Sequence, residues 1–392
     1  MSVPSTRDPL GLLDPPLDHA LEPADASGAH VQAARFPRWR RAFEWSATSA
    51  PVALLLTTGY ILGPQGINLV SLAALSSLDP VVPVALAALG VLVGLRGGDR
   101  RGDEARVLVA ASVASAVTGI VVSAGIAAVA VFEPSALVPL PWALVAVAGI
   151  CAATSLTLPS GDSLEPRTIS TRVIDAGVLL PIVAGGLLLA WMRSASFVEA
   201  LGLVVQVSAV TVALAAAGWL LLRQASTATD ERVFAIAVLL LVGGAADALA
   251  LSALAGGLVA GVFWRYGSGT PGDTLRRDVL FVQHPLLVLV LLVAGARTEV
   301  SALSLTFGAG YLTLRLVGTL SGGLLARRIL GPKAPRDLGL YLTPPGVFGV
   351  AFALNVVAIL GPDASVLVAA VVVGTVGSEF VSLFFLPRSI AE

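Results

Sequence analysis

Apolar runs long enough to cross a lipid bilayer recur along this chain from Ser46 almost to its end, and its arginines collect between them. That pattern leaves few architectures open. No water reaches the hydrocarbon core to satisfy backbone N–H and C=O groups, so a chain crosses it as helices or as a closed barrel. Uninterrupted apolar runs of about 20 residues select helices. Only 12% of the 392 residues are charged, against about 25% in soluble domains. The expected class is an all-α integral membrane protein.

Apolar segments fall at 46–63, 80–95, 107–132, 141–158, 172–192, 197–222, 233–264, 279–296, 302–326, 338–360 and 364–386. Segment 233–264 is too long for one span and short for two. Its middle, "GGAADALALSALAGG", holds Asp247 and predicts a tight helical hairpin. The distribution of basic residues requires the same reading. Arg35, Arg38, Arg40 and Arg41 precede the first span, which places the N-terminus in the cytoplasm. With twelve spans the inner loops then hold Arg96, Arg100, Arg101 and Arg106, then Arg167, Arg172, Arg223 and Arg232, then Arg265, Arg276 and Arg277. They also hold Arg327, Arg328, Lys333 and Arg336, with Arg388 at the C-terminus, while the outer loops hold only Arg193 and Arg297. A single crossing at 233–264 would turn the later clusters outward. The expectation is a cell (plasma) membrane protein with both termini cytoplasmic.

Residues 1–34 are rich in Pro, Asp and Ala, and a disordered cytoplasmic tail is expected over 1–42, ahead of a transmembrane domain over 43–392. No cleavable signal peptide is expected before the first span. The lone Cys151 excludes an intramolecular disulfide. No metal-ligand cluster is visible, and no cofactor, enzymatic activity or nucleic-acid partner is expected.

Charged groups within spans are costly and mark function or a buried partner. Arg315, in "GAGYLTLRLVGTLSGG", lies mid-span, too deep to snorkel to either surface. It must meet a carboxylate, carbonyls or water. The expected anionic partner is Glu379 or Asp175, and Glu379, in the last span, either forms a structural ion pair with Arg315 or faces a cytoplasmic water-filled opening. His284, in "FVQHPLLVL", reads as a neutral interfacial histidine or as a pH sensor. Asp175 sits at the head of span five, either as an interfacial carboxylate at a helix N-terminus or as a working group inside the membrane.

Two spans carry helix-breaking chemistry. Span four ends "CAATSLTLPSGDS", with Thr154, Ser155, Thr157 and Pro159. Span eleven reads "LGLYLTPPGVFGVAFALN", with Thr343, Pro344, Pro345 and Gly346. Prolines remove backbone donors and clash with the preceding turn. Such backbone is tolerated at membrane depth where it is buried or lines a cavity. Spans one to five run opposite to spans eight to twelve, so the breaks occupy matching places in two inverted five-helix repeats. Paired breaks of this kind point to a transporter's substrate site.

Five segments, in order, resemble the monovalent cation:proton antiporter superfamily, which includes sodium/proton and Kef-type potassium/proton exchangers. They are "GYILGPQGINLVS" (59–71), "ALAALGVLVGLRG" (85–97), "ALALSALAGGLVAG" (248–261), "HPLLVLVLLVAGARTEV" (284–300) and "LTPPGVFGVAFA" (342–353). The resemblance covers the chain from about residue 46 to 388. It implies twelve or thirteen helices in inverted repeats with crossed, unwound helices four and eleven, and a homodimer. It also implies an ion-binding aspartate in helix five, matched by Asp175, and a basic residue in helix ten, matched by Arg315. The unwound threonine of helix four is matched by Thr154. The family's polar neighbour of the aspartate is Ile174 here, and the "PRGE" element has Pro345 and Val347 in place of its arginine and acid.

The implied activity is exchange of a monovalent cation, Na+ or K+, for protons. Asp175 would bind either ion, helped by oxygen atoms of Thr154, Ser155 and Thr343 at the breaks. An arginine releases no proton at working pH, so a single titrating carboxylate implies one proton per cation, an electroneutral exchange. The departures at Ile174 and Val347 favour a rival reading, a non-transporting membrane scaffold or sensor on the same fold. A third reading is an ion-coupled symporter of a small organic anion.

Overall fold

The computed structural model describes residues 52–96, 104–132, 142–154, 169–194, 196–224, 227–248, 252–266, 285–332, 334–344, 346–361 and 364–385. The expected tail over 1–42, together with Ser155, His284 and Pro345, lies outside the described residues. What is described is helical. In chain order the helices are α1 (Val52–Leu62), α2 (Leu72–Ser77), α3 (Val81–Arg96), α4 (Glu104–Phe132) and α5 (Trp142–Ala152). Next come α6 (Ile169–Gly177), α7 (Leu179–Met192), α8 (Phe197–Gln224), α9 (Ala228–Ala248) and α10 (Ala253–Tyr266). The last are α11 (Pro285–Ala296), α12 (Ala302–Leu330), α13 (Leu338–Tyr341), α14 (Val347–Leu360) and α15 (Ser365–Phe385).

Among the described residues, five stretches are helical, long and apolar enough to cross a membrane: Glu104–Val129, Ile169–Met192, Phe197–Gln224, Ala302–Leu330 and Ser365–Ser382. The apolar run 233–264 is two helices, with α9 ending at Ala248 and α10 starting at Ala253, as the loop charges require. The start lies earlier than expected, at Ala228, where Thr227 and Asp230 cap each other's backbone N–H groups at 3.1 and 3.2 Å. The short helix α2 carries no sequence signature of its own, being a single capped turn behind Ser71. α12 opens on a reciprocal capping box between Ser301 and Ser304 and closes at Gly331, whose φ of 78° only glycine adopts without strain.

Helix pairs meet where side chains are absent. On α3, Gly90 and Gly94 lie against the Leu254 and Leu258 carbonyls of α10, while Gly257 and Gly261 of α10 lie against the Ala87 and Val91 carbonyls of α3. α1 and α11 repeat the device through Gly59, Gly63 and Gly295. α4 and α12 meet at Gly318 and Gly322 against Thr118 and Ala114. Small residues let backbones approach closely, the main attraction available to helices in lipid. A Cβ on Gly257 would strike the Ala87 carbonyl. Gly257→Ala is therefore expected to destabilise by about 1–3 kcal/mol through forced separation of α3 and α10. Gly310→Ala, which faces open space on α12, is the control and should not lower the melting temperature in detergent.

Candidate functional site: a guanidinium across two helix breaks

At 1.5 Å per residue, the 11-residue α5 reaches only about 16 Å, roughly half the hydrocarbon thickness. Its last carbonyls have no partner within the helix and are met from outside it. The Thr154 hydroxyl turns back to donate to the Cys151 carbonyl at 2.9 Å. On the other side, α13 is a single turn, and the Thr343 hydroxyl donates to the Gly339 carbonyl at 3.2 Å. The chain then passes Gly346 into α14.

The two breaks touch. A Cβ on Gly346 would collide with the Thr154 carbonyl, and one on Gly349 with the Cys151 carbonyl and, at 2.8 Å, the Thr154 hydroxyl. Only glycine lets the first turn of α14 rest on the end of α5. The end of α5 and the start of α14, the helices that the family resemblance expects to cross, are thus in direct contact.

Arg315 fills this crossing. It is 3% exposed, and its donors fan out over both breaks. Nε donates to the Ala152 carbonyl at 3.3 Å, and Nη2 to the carbonyls of Thr154 at 3.3 Å and Pro344 at 3.2 Å. Nη1 donates to the Thr343 carbonyl at 2.9 Å and to the Ser378 hydroxyl. Ser378 in turn donates to the Thr343 carbonyl at 3.3 Å. A planar fork of five N–H groups suits several fixed carbonyls as no ammonium does. The carbonyl ends of α5 and α13 also present the negative ends of their peptide dipoles to the charge.

The ion pair expected between Arg315 and Glu379 is not formed. Glu379 accepts a hydrogen bond from the backbone N–H of Ala53, the second residue of α1, a group that has no partner within its own helix. Successive helical residues point about 100° apart. Ser378 thus faces Arg315 while Glu379 faces α1. The carboxylate that charge balance suggested is replaced by carbonyls that the breaks set free.

Asp175 stands on a separate element. It is half-buried on α6, and its neighbour Ile174 is buried in a small apolar cluster with Ala111, Ala326, Leu338 and Leu342. Arg315, Thr154 and Thr343 are brought together, whereas the hydrogen bonds of Arg315 do not include Asp175. Val347, in the place of the expected acid, is fully buried at the start of α14.

Two residues escaped the sequence reading. Ser378 was hidden beside the more conspicuous Glu379. Ser115, on α4, donates to the Gly177 carbonyl at 2.7 Å in a buried contact two residues past Asp175. Its one advance signal was Pro181, four residues after Gly177. Among the described residues, no three His, Cys, Asp or Glu side chains gather in a metal-holding group.

No protein-family model matches the sequence, and no curated protein matches it. Among solved structures, the fold is similar to that of the sodium proton antiporter MjNhaP1 from Methanocaldococcus jannaschii. The TM-score is 0.58 at 14% sequence identity, covering 89% of this chain and 96% of that one.

Proposed function

We propose that this chain is a multi-pass membrane transporter exchanging a monovalent cation, Na+ or K+, for protons in an electroneutral cycle. The observation that carries this reading is the contact of two broken helices across Arg315, in a fold similar to that of a sodium proton antiporter. Irregular backbone at membrane depth is a transporter's binding architecture. Arg315 neutralises the carbonyl ends permanently. Asp175 is then the group that binds a proton or a cation by turns, with the hydroxyl oxygens of Thr154 and Thr343 at the breaks, and that of Ser155 next in sequence, as its proposed helpers.

Twelve spans in two inverted repeats fit the helix pairing. The first span packs on the ninth and the second on the eighth through glycines, the third on the tenth, and the fourth touches the eleventh. Exchanging spans one to five with spans eight to twelve maps this set of pairs onto itself. The positive-inside distribution supports a plasma-membrane protein with both termini cytoplasmic. A homodimer follows from the family resemblance.

A scaffold or sensor is the second reading. It is favoured by Ile174 and Val347, apolar and buried where polar partners of the ion site were expected. Inside-out vesicles carrying a fluorescent pH probe decide between them. Addition of Na+, K+ or Li+ to an imposed proton gradient should dissipate it, at a rate unaffected by clamping the membrane potential. A gradient insensitive to all three cations favours the scaffold.

A further inference from the structure

We propose that Ser115 is a positioning residue for Asp175, acting through the Gly177 carbonyl; the inference rests on Asp175 being the carrier. α6 ends at Gly177, and α7 resumes at Leu179. In a continuous helix the Gly177 carbonyl would accept from the N–H of residue 181. That residue is Pro181, which has none. An unpaired carbonyl away from water is costly, so something must hold it. The Ser115 hydroxyl on α4 does so at 2.7 Å, with Ser115 itself 6% exposed. Gly177 leaves the approach unhindered, since a Cβ there would press on the Ser115 oxygen at 3.1 Å.

This bond fixes how α6 is turned. Residues 173 and 174 lie about 40° and about 60° from residue 177, on either side of it, whereas residue 175 lies about 160° from 177 by the shorter way round. Val173 and Ile174 are indeed buried in the cluster that includes Val107, Ala110, Ala111 and Ala114 of α4. With the Gly177 side of α6 held on α4, Asp175 is aimed away from α4. Val178 keeps helical dihedrals (φ −77°, ψ −24°), so the helical path from α6 to α7 is continuous and the Ser115 bond is what ties the Gly177 side of α6 to α4. Ser115 touches no ion. It sets the direction of the residue that does.

The test is exchange in inside-out vesicles by wild type and by S115A, S115T, P181A and S115A/P181A, alongside D175N. S115A should raise the apparent KM for the cation roughly ten-fold, as happens when a partner orienting an ion-ligating group is lost. It should also shift the pH profile and change the maximal rate far less. S115T keeps the hydroxyl and should restore both. P181A gives the Gly177 carbonyl an N–H from its own helix. The double variant should therefore regain the wild-type melting temperature while KM and pH profile stay shifted, because the carbonyl is then satisfied without its tie to α4. A purely structural serine would instead show all parameters restored together in the double variant, which overturns the proposal. So would S115A with wild-type KM and pH profile while D175N abolishes exchange. If wild type exchanges no cation, the transporter reading falls and this inference with it.

Discussion

Arg315→Ala should be the most destabilising single substitution in the membrane domain, lowering stability by roughly 3–5 kcal/mol. Truncation leaves the carbonyls of Ala152, Thr154, Thr343 and Pro344 without the donor that now joins them, and releases Ser378 from the guanidinium. Each buried polar group left unpaired costs about 1–3 kcal/mol. Water entering the vacated volume would recover part of that sum, which is why the expected loss is below the total. The loss is read as a lower melting temperature in detergent and less monodisperse protein on size exclusion. Arg315→Lys should fall between the two, because three donors on a point charge cannot reach carbonyls spread over two helices. A double-mutant cycle with Glu379→Ala tests the assignment of partners. Without an ion pair the two losses should add to within about 0.5 kcal/mol. Strong coupling would restore the pair that the hydrogen bonds exclude, and a wild-type melting temperature for Arg315→Ala would remove the crosslink itself.

Asp175→Asn should keep the fold and abolish exchange. The amide is nearly isosteric, and Asp175 is half-buried rather than sealed in the core, so melting temperature and yield should stay close to wild type. Exchange needs a group that is neutral with a proton and anionic with a cation, and an amide is neither in turn. Neither other charged candidate serves well. Arg315 keeps its charge at any working pH, and Glu379 is bound to the start of α1. Asp175→Glu should retain weak activity with a displaced pH optimum, since the carboxylate survives one methylene out of place. The measurement is dissipation of an imposed proton gradient on addition of each alkali cation. An Asp175→Asn protein that exchanges normally would remove this residue from the mechanism.

What could be read from the sequence followed how local its cause was. Proline chemistry is local, so the break before α14 was visible in "LTPPGV", whereas "LTLPSG" lies outside the described residues and the contact with Gly346 is made just before it, at Thr154. The hairpin at α9 and α10 was legible both from the length of its apolar run and from the loop arginines, because the direction of every later span depends on it. Arg315 was recognisable as buried, but not its partners. A lone mid-span charge invites a search for an opposite charge, whereas a five-donor fork is equally satisfied by carbonyls, and which carbonyls are free depends on two helices distant in sequence. Ser115 and Ser378 were invisible for the same reason. A serine in an apolar helix reads as lipid-compatible filler until tertiary packing places an acceptor before it.

The glycine-backed pairs bear on where compliance can reside. Between α3 and α10, and between α1 and α11, main chain rests on main chain, so no rotamer can change to absorb a displacement. Each pair behaves as a stiff strut that carries a push at one end to the other undiminished. Elasticity then belongs to seams filled by larger side chains, such as that between α7 and α14, where the ring of Phe352 lies over Gly185. A ring can slide across a glycine where two interlocked backbones cannot. The soft seam runs from the helix that continues Asp175's own to the helix that begins at the second break, and the stiffest members lie outside it.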